Sequence, residues 1–513
     1  MQKSLLRKLS FGVGITLLAL PLINVQAASI AADAAMQQDF AALELAVKQE
    51  RVNQPQADGS TALHWAIHWN NADAVDLLLA AGADPDLATR LGATPLYLAA
   101  LDGNAALVAK LLTAGADANQ RILSNQETAL MFAARSGNVE SVRLLLDAGA
   151  EINAKESYKE TTALMWAAEQ DHAGVAALMT ERGADTTATS KLTVIERRAS
   201  GIDVANGADP EPQQFYLGAV TAINFAAREN GIETVKALLD AGIPIDQQTG
   251  DGSSPLLIAL QNAHLDLARL LIDRGADVNL ANRKGWNPLY MAVKVRNQEI
   301  GTMPNPDANG MYELIQTLID KGADVNARIT GKTEVHDAIA STWLKEPGAT
   351  PFLRAAWCGD LEVMKLLMAH GADPFLTTDD GTTALMAVAG VGYAQGFIKD
   401  FSGREQSAAA MRLLIDTGLD VNAMNTDSVM ALHGAAHKNF VEGIQLLVDN
   451  GADLGAQSLW RKIPATPLDW AIGVRIGGSS TIYQAEAVEL LEKLVVEHNI
   501  TVKTVYPNNN RGG

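Results

Sequence analysis

One cysteine, Cys358, is present in 513 residues. No disulfide can form within the chain, so stability has to come from packing. Aromatic residues make up only 5%, and Ala and Leu dominate the apolar fraction, a mixture suited to closely stacked helices. Positive charge is also short: 40 Lys and Arg face 59 Asp and Glu, for a net charge of −19. An acidic surface repels phosphate backbones and anionic bilayers, which argues against nucleic acid and membrane surfaces as partners. Basic or neutral proteins are the easier partners. Beyond the first residues no apolar run reaches the ~20 residues that a membrane-spanning helix needs.

The N-terminus has its own pattern. Lys3, Arg7 and Lys8 precede an apolar stretch from Leu9 to Leu22, and Val25-Gln26-Ala27 follows as a small-x-small sequence. That order predicts a secretory signal peptide over 1–27 with cleavage after Ala27. A lipoprotein is disfavoured, because no cysteine stands at the cleavage site. The expected location is therefore the periplasm or the extracellular space.

Length alone suggests several domains, but an internal repeat overrides that prior. Gly-Ala-Asp recurs at Gly82, Gly115, Gly183, Gly275, Gly322, Gly371 and Gly451, with variants at Gly149, Gly242 and Gly418. Uninterrupted intervals match a period of ~33 residues. A second marker lies upstream of each, as in Thr61-Ala62-Leu63-His64, Thr94-Pro95-Leu96, Ser254-Pro255-Leu256, Asn287-Pro288-Leu289, Thr350-Pro351-Phe352 and Thr466-Pro467-Leu468. Each piece has a physical reason. Thr, Ser or Asn caps a helix by accepting from free backbone N–H groups. Proline at the first helical position forfeits no hydrogen bond. The Leu faces the core, and the alanine pair that follows lets helices approach closely. Gly103, Gly137, Gly231 and Gly359 are placed to end first helices in a left-handed turn. Leu107, Val108, Leu111 and Leu112 form one apolar stripe on a second helix.

These motifs resemble the ankyrin repeat, and the resemblance covers nearly the whole chain after the leader. It implies an all-α solenoid of stacked helix pairs with hairpin-like turns, about eleven to twelve repeats in all. Residues 28–57 would hold a degenerate capping unit. Repeats would fill 58–188, 219–328 and 350–500, with a tail at 501–513. The later segments, such as Leu432-His433-Gly434-Ala435-Ala436, are also similar to secreted bacterial ankyrin proteins. Five insertions break the period. Thr189–Gly218 and 329–349 lengthen turns, while 298–310, 392–407 and 474–484 fall between the two helices of single repeats. The polar, proline-containing Thr189–Gly218 segment is expected to be largely without regular structure.

Chemistry is harder to find. His64 and His68, like His433 and His437, are spaced to share a metal, but neither pair carries the glutamate of a His-Glu-x-x-His site. His64 and His433 occupy the histidine position of the ankyrin signature, where the resemblance implies a role in holding the turn by hydrogen bonds. Cys358 reads as an inert core thiol. No catalytic residues, cofactor or metal are expected. The expected function is binding of another protein through a concave face built from hairpin tips and first-helix ends, with Trp69, Arg135, Arg228, Trp286 and Trp357 as the candidate contacts. Trp65, Trp166 and Trp470 are read instead as framework residues packed between repeats. The alternatives are a secreted effector acting on host proteins, or an enzyme whose site is built on the insertions.

Overall fold

The computed structural model describes residues 29–49, 51–121, 125–198, 212–297, 307–331, 344–392, 403–462, 464–474 and 483–502. The leader over 1–27, most of the tail and parts of all five insertions lie outside the described residues. The chain forms two compact units. One comprises the described residues through Ala99 together with 106–121; the other comprises Ala100–Ala105 and the described residues from Asn125 onward.

Among the described residues there are 24 α-helices, arranged as consecutive pairs. The all-α repeat architecture expected from the sequence is present. Typical pairs are Ala62–His68 with Ala72–Ala80, Ala129–Ser136 with Val139–Asp147, and Pro255–Gln261 with Leu265–Asp273. In the second unit each first helix packs on the first helix of the next pair. Ala163–Glu169 packs on Ala222–Arg228 in this way even though Thr189–Gly218 separates them. The core is aliphatic; Leu111, Leu145, Leu238 and Leu367 are fully buried.

The markers act as their chemistry requires. Asn287 accepts from the Tyr290 N–H at 2.8 Å and Thr350 from the Leu353 N–H at 3.2 Å, each opening a helix whose first residue is proline. Gly82 and its counterparts end the second helices at positive φ, where an L side chain would be strained. The left-handed residue ending a first helix is Gly137 in one repeat but Asn230 in another. Gly231, expected to fill that role, instead has φ −78° and opens the following helix. Asn tolerates the left-handed region through its short polar side chain, so the turn needs no glycine there.

A side-chain ladder links successive turns. Asn326 donates from Nδ2 to the Gly371 carbonyl at 3.0 Å and accepts at Oδ1 from the Asp373 N–H at 2.8 Å. Asn279 repeats both bonds to Gly322 and Asp324, and Asn422 to Gly451 and Asp453. A second row joins the turn tips through the backbone. Arg283 N–H donates to the Asp251 carbonyl, Thr330 to Lys284, and Thr426 to Asp380, all within 2.9 Å.

Two findings correct the sequence reading. The Thr189–Gly218 insertion carries a β-hairpin, with strand β1 at Thr193–Arg197 antiparallel to strand β2 at Gln213–Leu217. The β-branched and aromatic residues Thr193, Val194, Ile195, Phe215 and Tyr216 suit a ribbon better than coil. The insertions at 298–310 and 392–407 also end inside helices. Ala308–Asp320 and Gly403–Thr417 span 13 and 15 residues, against nine for an ordinary second helix such as Leu361–Ala369.

Candidate protein-binding surface

The ends of the first helices point away from the stack, and in the second unit they form a row. Arg135 is exposed, its guanidinium 5.8 Å from the centre of the Trp166 ring. Arg228 is exposed and bonded to Glu169 at 3.1 Å and Glu229 at 2.9 Å, and it lies 4.9 Å over the Phe225 ring. Exposed pairs of this kind contribute little to stability, ~0–1 kcal/mol each, so their geometry can be exchanged for a partner's charges at small cost. Gln261 and Asn262 continue the row half-buried.

Further along, the surface closes over. Trp357 is only 4% exposed, stacked 4.5 Å from the Arg354 guanidinium. The backbone at Gly392 approaches it so closely that a Cβ there would stand 3.0 Å from the indole Nε1 and 2.5 Å from the Leu344 Cβ. Residues flanking two insertions thus cover the position. Trp286 is 6% exposed and donates from Nε1 to the Gly331 carbonyl at 3.2 Å, tying adjacent turn tips together. Both were expected to stand out as exposed anchors; both are buried, because neighbouring turns supply the apolar cover that a large indole favours. In the first unit Trp69 is 43% exposed at the end of helix Ala62–His68, beside a shallow depression lined by Phe40, Leu43 and Ala66. The framework tryptophans pack as expected. Trp470 is fully buried and donates to Ser458 Oγ at 2.8 Å, while Trp166 is half-buried edge-on to Phe132.

Arg296 was missed. It lies at the end of helix Pro288–Arg296 and forms a buried ion pair with Asp360 at 2.9 Å, and it reaches Glu362 at 2.8 Å and the Ala308 carbonyl. Asp360 also caps helix Leu361–Ala369 by accepting from the Val363 N–H. The partners are 64 residues apart, and no local pattern announces such a pairing. It locks two repeats and removes this cation from the surface.

The histidines serve the fold. Nδ1 of His64 accepts from the Thr61 N–H at 3.1 Å, which leaves Nε2 to donate to the Ala93 carbonyl at 3.0 Å. His433 does the same between the Met430 N–H and the Ala465 carbonyl. Burial holds His64 below its ordinary pKa and pushes His433 down to about 4. Asn224 takes over the latch in a repeat without histidine, donating to Thr221 Oγ1 and to the Gln247 carbonyl. Cys358 is buried. Among the described residues no cluster of His, Cys, Asp and Glu could hold a metal, and no helix is long and apolar enough to cross a membrane.

A family model described as ankyrin repeats (3 copies) matches residues 30–122, 96–190, 223–303 and 352–458, well over half of the sequence. The chain belongs to the ankyrin-repeat family. It is 27% identical over 250 residues to mouse ankyrin repeat and SOCS box protein 16, covering 49% of this chain and 47% of that one. It is 30% identical over 278 residues to the ankyrin repeat and KH domain-containing protein mask-1 of Caenorhabditis elegans, covering 51% and 10%. It is 24% identical over 242 residues to the human transient receptor potential cation channel subfamily A member 1, covering 45% and 18%. The chain thus spans less than half the length of each relative. These relatives are animal proteins and lend no support to the narrower resemblance to secreted bacterial ankyrin proteins. In this ankyrin-repeat chain, the repeats themselves indicate a protein-binding scaffold.

Proposed function

We propose that this chain is an exported scaffold or regulator that binds another protein through the row of first-helix ends in its second unit. The observation that carries the reading is the contrast along each repeat. Capping residues, alanine pairs and turn glycines recur because the packing repeats, whereas Arg135, Glu169, Arg228 and Asn262 differ in type and face outward. Positions free of packing demands are where a specific partner can be read. Arg135 and Arg228, each over an aromatic ring, are the anchors of this surface, with Glu169 and Glu229 as its polar rim. Trp69, on the first unit, is a separate exposed apolar candidate. The charge, apolar core and Val25-Gln26-Ala27 order at the N-terminus supports export to the periplasm or outside the cell. No catalysis is assigned.

The test joins location to binding. Cell fractionation with N-terminal sequencing should find a chain beginning at Ala28. Partner capture from the same compartment, followed by affinity and melting measurements on Arg135→Glu and Arg228→Glu, should show lost affinity at an unchanged melting temperature. A protein retained in the cytoplasm with Met1 intact would overturn export. Unchanged affinity in both variants would overturn the surface.

A further inference from the structure

The hairpin in the Thr189–Gly218 insertion is an unfinished sheet. It has two strands paired Thr193 with Leu217 through Arg197 with Gln213. A two-stranded ribbon is marginal by itself, and each outer edge presents alternate N–H and C=O groups without partners. The two edges are not equivalent. On the β2 side the next turn tip straddles the strand: the Arg283 guanidinium lies 4.4 Å over the Tyr216 ring, and the Lys284 ammonium lies 5.2 Å over Phe215 on the opposite face. On the β1 side the described residues supply no such cover. Among the described residues the backbone of 193–197 bonds only to β2. Thr193, Val194, Glu196 and Arg197 are all exposed, Val194 at 48%.

The base of the hairpin is anchored. Lys191 N–H donates to the Lys159 carbonyl at 2.7 Å, and Gly250 N–H donates to the Gly218 carbonyl at 2.9 Å. The ribbon is therefore held out from the row of turn tips by both feet. Natural proteins protect such an edge with charge, proline, a bulge or a cover; β1 carries Glu196 and Arg197 but no proline. Its charge is distinctive too. Among the described residues, exposed Lys159, Lys191, Arg197 and Arg198 gather here against Glu160 and Glu196, in a chain whose net charge is −19; Asp203, Asp209 and Glu211 of the same insertion lie outside the described residues. A local cationic patch on an acidic protein selects an acidic ligand by attraction here and repulsion elsewhere.

We propose that the β1 edge is a second docking site, for an extended acidic peptide segment of a partner protein that adds as a third strand beside Thr193–Arg197. Main-chain hydrogen bonds give the affinity. The apolar side chains of the alternating peptide pack beside Val194 on one face, and its acidic ones pair with Arg197 on the other. The site is distinct from the row of first-helix ends, and each can fail without the other.

The test uses the full chain and a labelled peptide of about ten residues alternating Glu with Val, read by fluorescence anisotropy. The Glu–Val peptide should bind, with affinity falling as salt rises. Val194→Pro, which removes an edge donor and the extended pairing geometry, should weaken it at least ~10-fold. Should that variant lose its melting transition, the double charge reversal Arg197→Glu with Arg198→Glu, which leaves the backbone edge in place, decides the matter with the same expected loss. A Lys–Val peptide should not bind, and Arg228→Glu should bind as the wild type does. Equal binding of the Lys–Val peptide, or affinity indifferent to both β1 variants, would overturn the proposal. So would a wild-type dimer in light scattering that Val194→Pro dissociates, since the edge would then belong to a second copy of this chain.

Discussion

The asparagine ladder yields a prediction whose size can be worked from the structure. Asn326 makes two bonds to the next repeat, to the Gly371 carbonyl at 3.0 Å and from the Asp373 N–H at 2.8 Å. Asn326→Ala removes both. The groups lie at the surface, so water replaces the lost partners and no buried desolvation penalty arises. At ~0.5–1 kcal/mol net for each bond, the cost should be ~1–2 kcal/mol. Asn326→Asp keeps the acceptor and loses the donor, so it should cost about half as much. The chain already contains that arrangement at Asp246, which accepts from the Asp277 N–H and whose pKa is raised by burial and by Asp277. The ladder also has a natural gap. Phe375, 57% exposed, stands where other repeats have Asn. Phe375→Asn should restore bonds to the following repeat and raise stability by ~1 kcal/mol, an unusual gain from trimming a large side chain. Urea melts read by circular dichroism, with the slope fitted as well as the midpoint, would measure all three, because a weakened repeat interface can also broaden the transition. A midpoint for Asn326→Ala within ~0.3 kcal/mol of wild type would refute the argument, since the bonds would then be no better than their exchange with water.

Two further outcomes follow from the core. His433 is buried neutral with its pKa pushed down to about 4, so the unfolded chain binds the extra proton first as pH falls. Its contribution is complete above the ordinary value near 6.5 and is lost through the window from 6.5 to 4. At pH 5 the wild type should have lost ~2 kcal/mol more than His433→Asn, measured by denaturation at pH 7 and pH 5; equal losses would rule the histidine out as the source. Leu111→Ala empties a fully buried position and should cost ~2–5 kcal/mol in the same assay, with a smaller value indicating that the helices collapse into the space.

Local chemistry was legible from the chain alone. The helix pairs, their caps, the turn glycines and the histidine latches all follow from residues within one repeat. A cap reads only its own next turn, and a positive φ is a property of one residue, so no knowledge of the fold is needed to anticipate them. Even the slip at Gly231 was of one position, because Asn230 adopts the same left-handed backbone. The export reading, likewise, rests wholly on the first residues. What the sequence could not determine was which outward positions remain outward. Trp357 stands at the same repeat position as the exposed Arg135 and Arg228, yet Leu344 and Gly392 arrive from distant segments to cover it, while Trp286 stands just before a helix cap, a position buried at Ser60, Thr161 and Ser253 as well. The Arg296–Asp360 pair and the cations flanking β2 belong to the same class. Burial of a side chain is set by every segment that packs against it, and insertions place their backbone where no period predicts. Only the tertiary structure therefore decided that the accessible row runs through Arg135 and Arg228, and that one edge of a small hairpin stands open beside it.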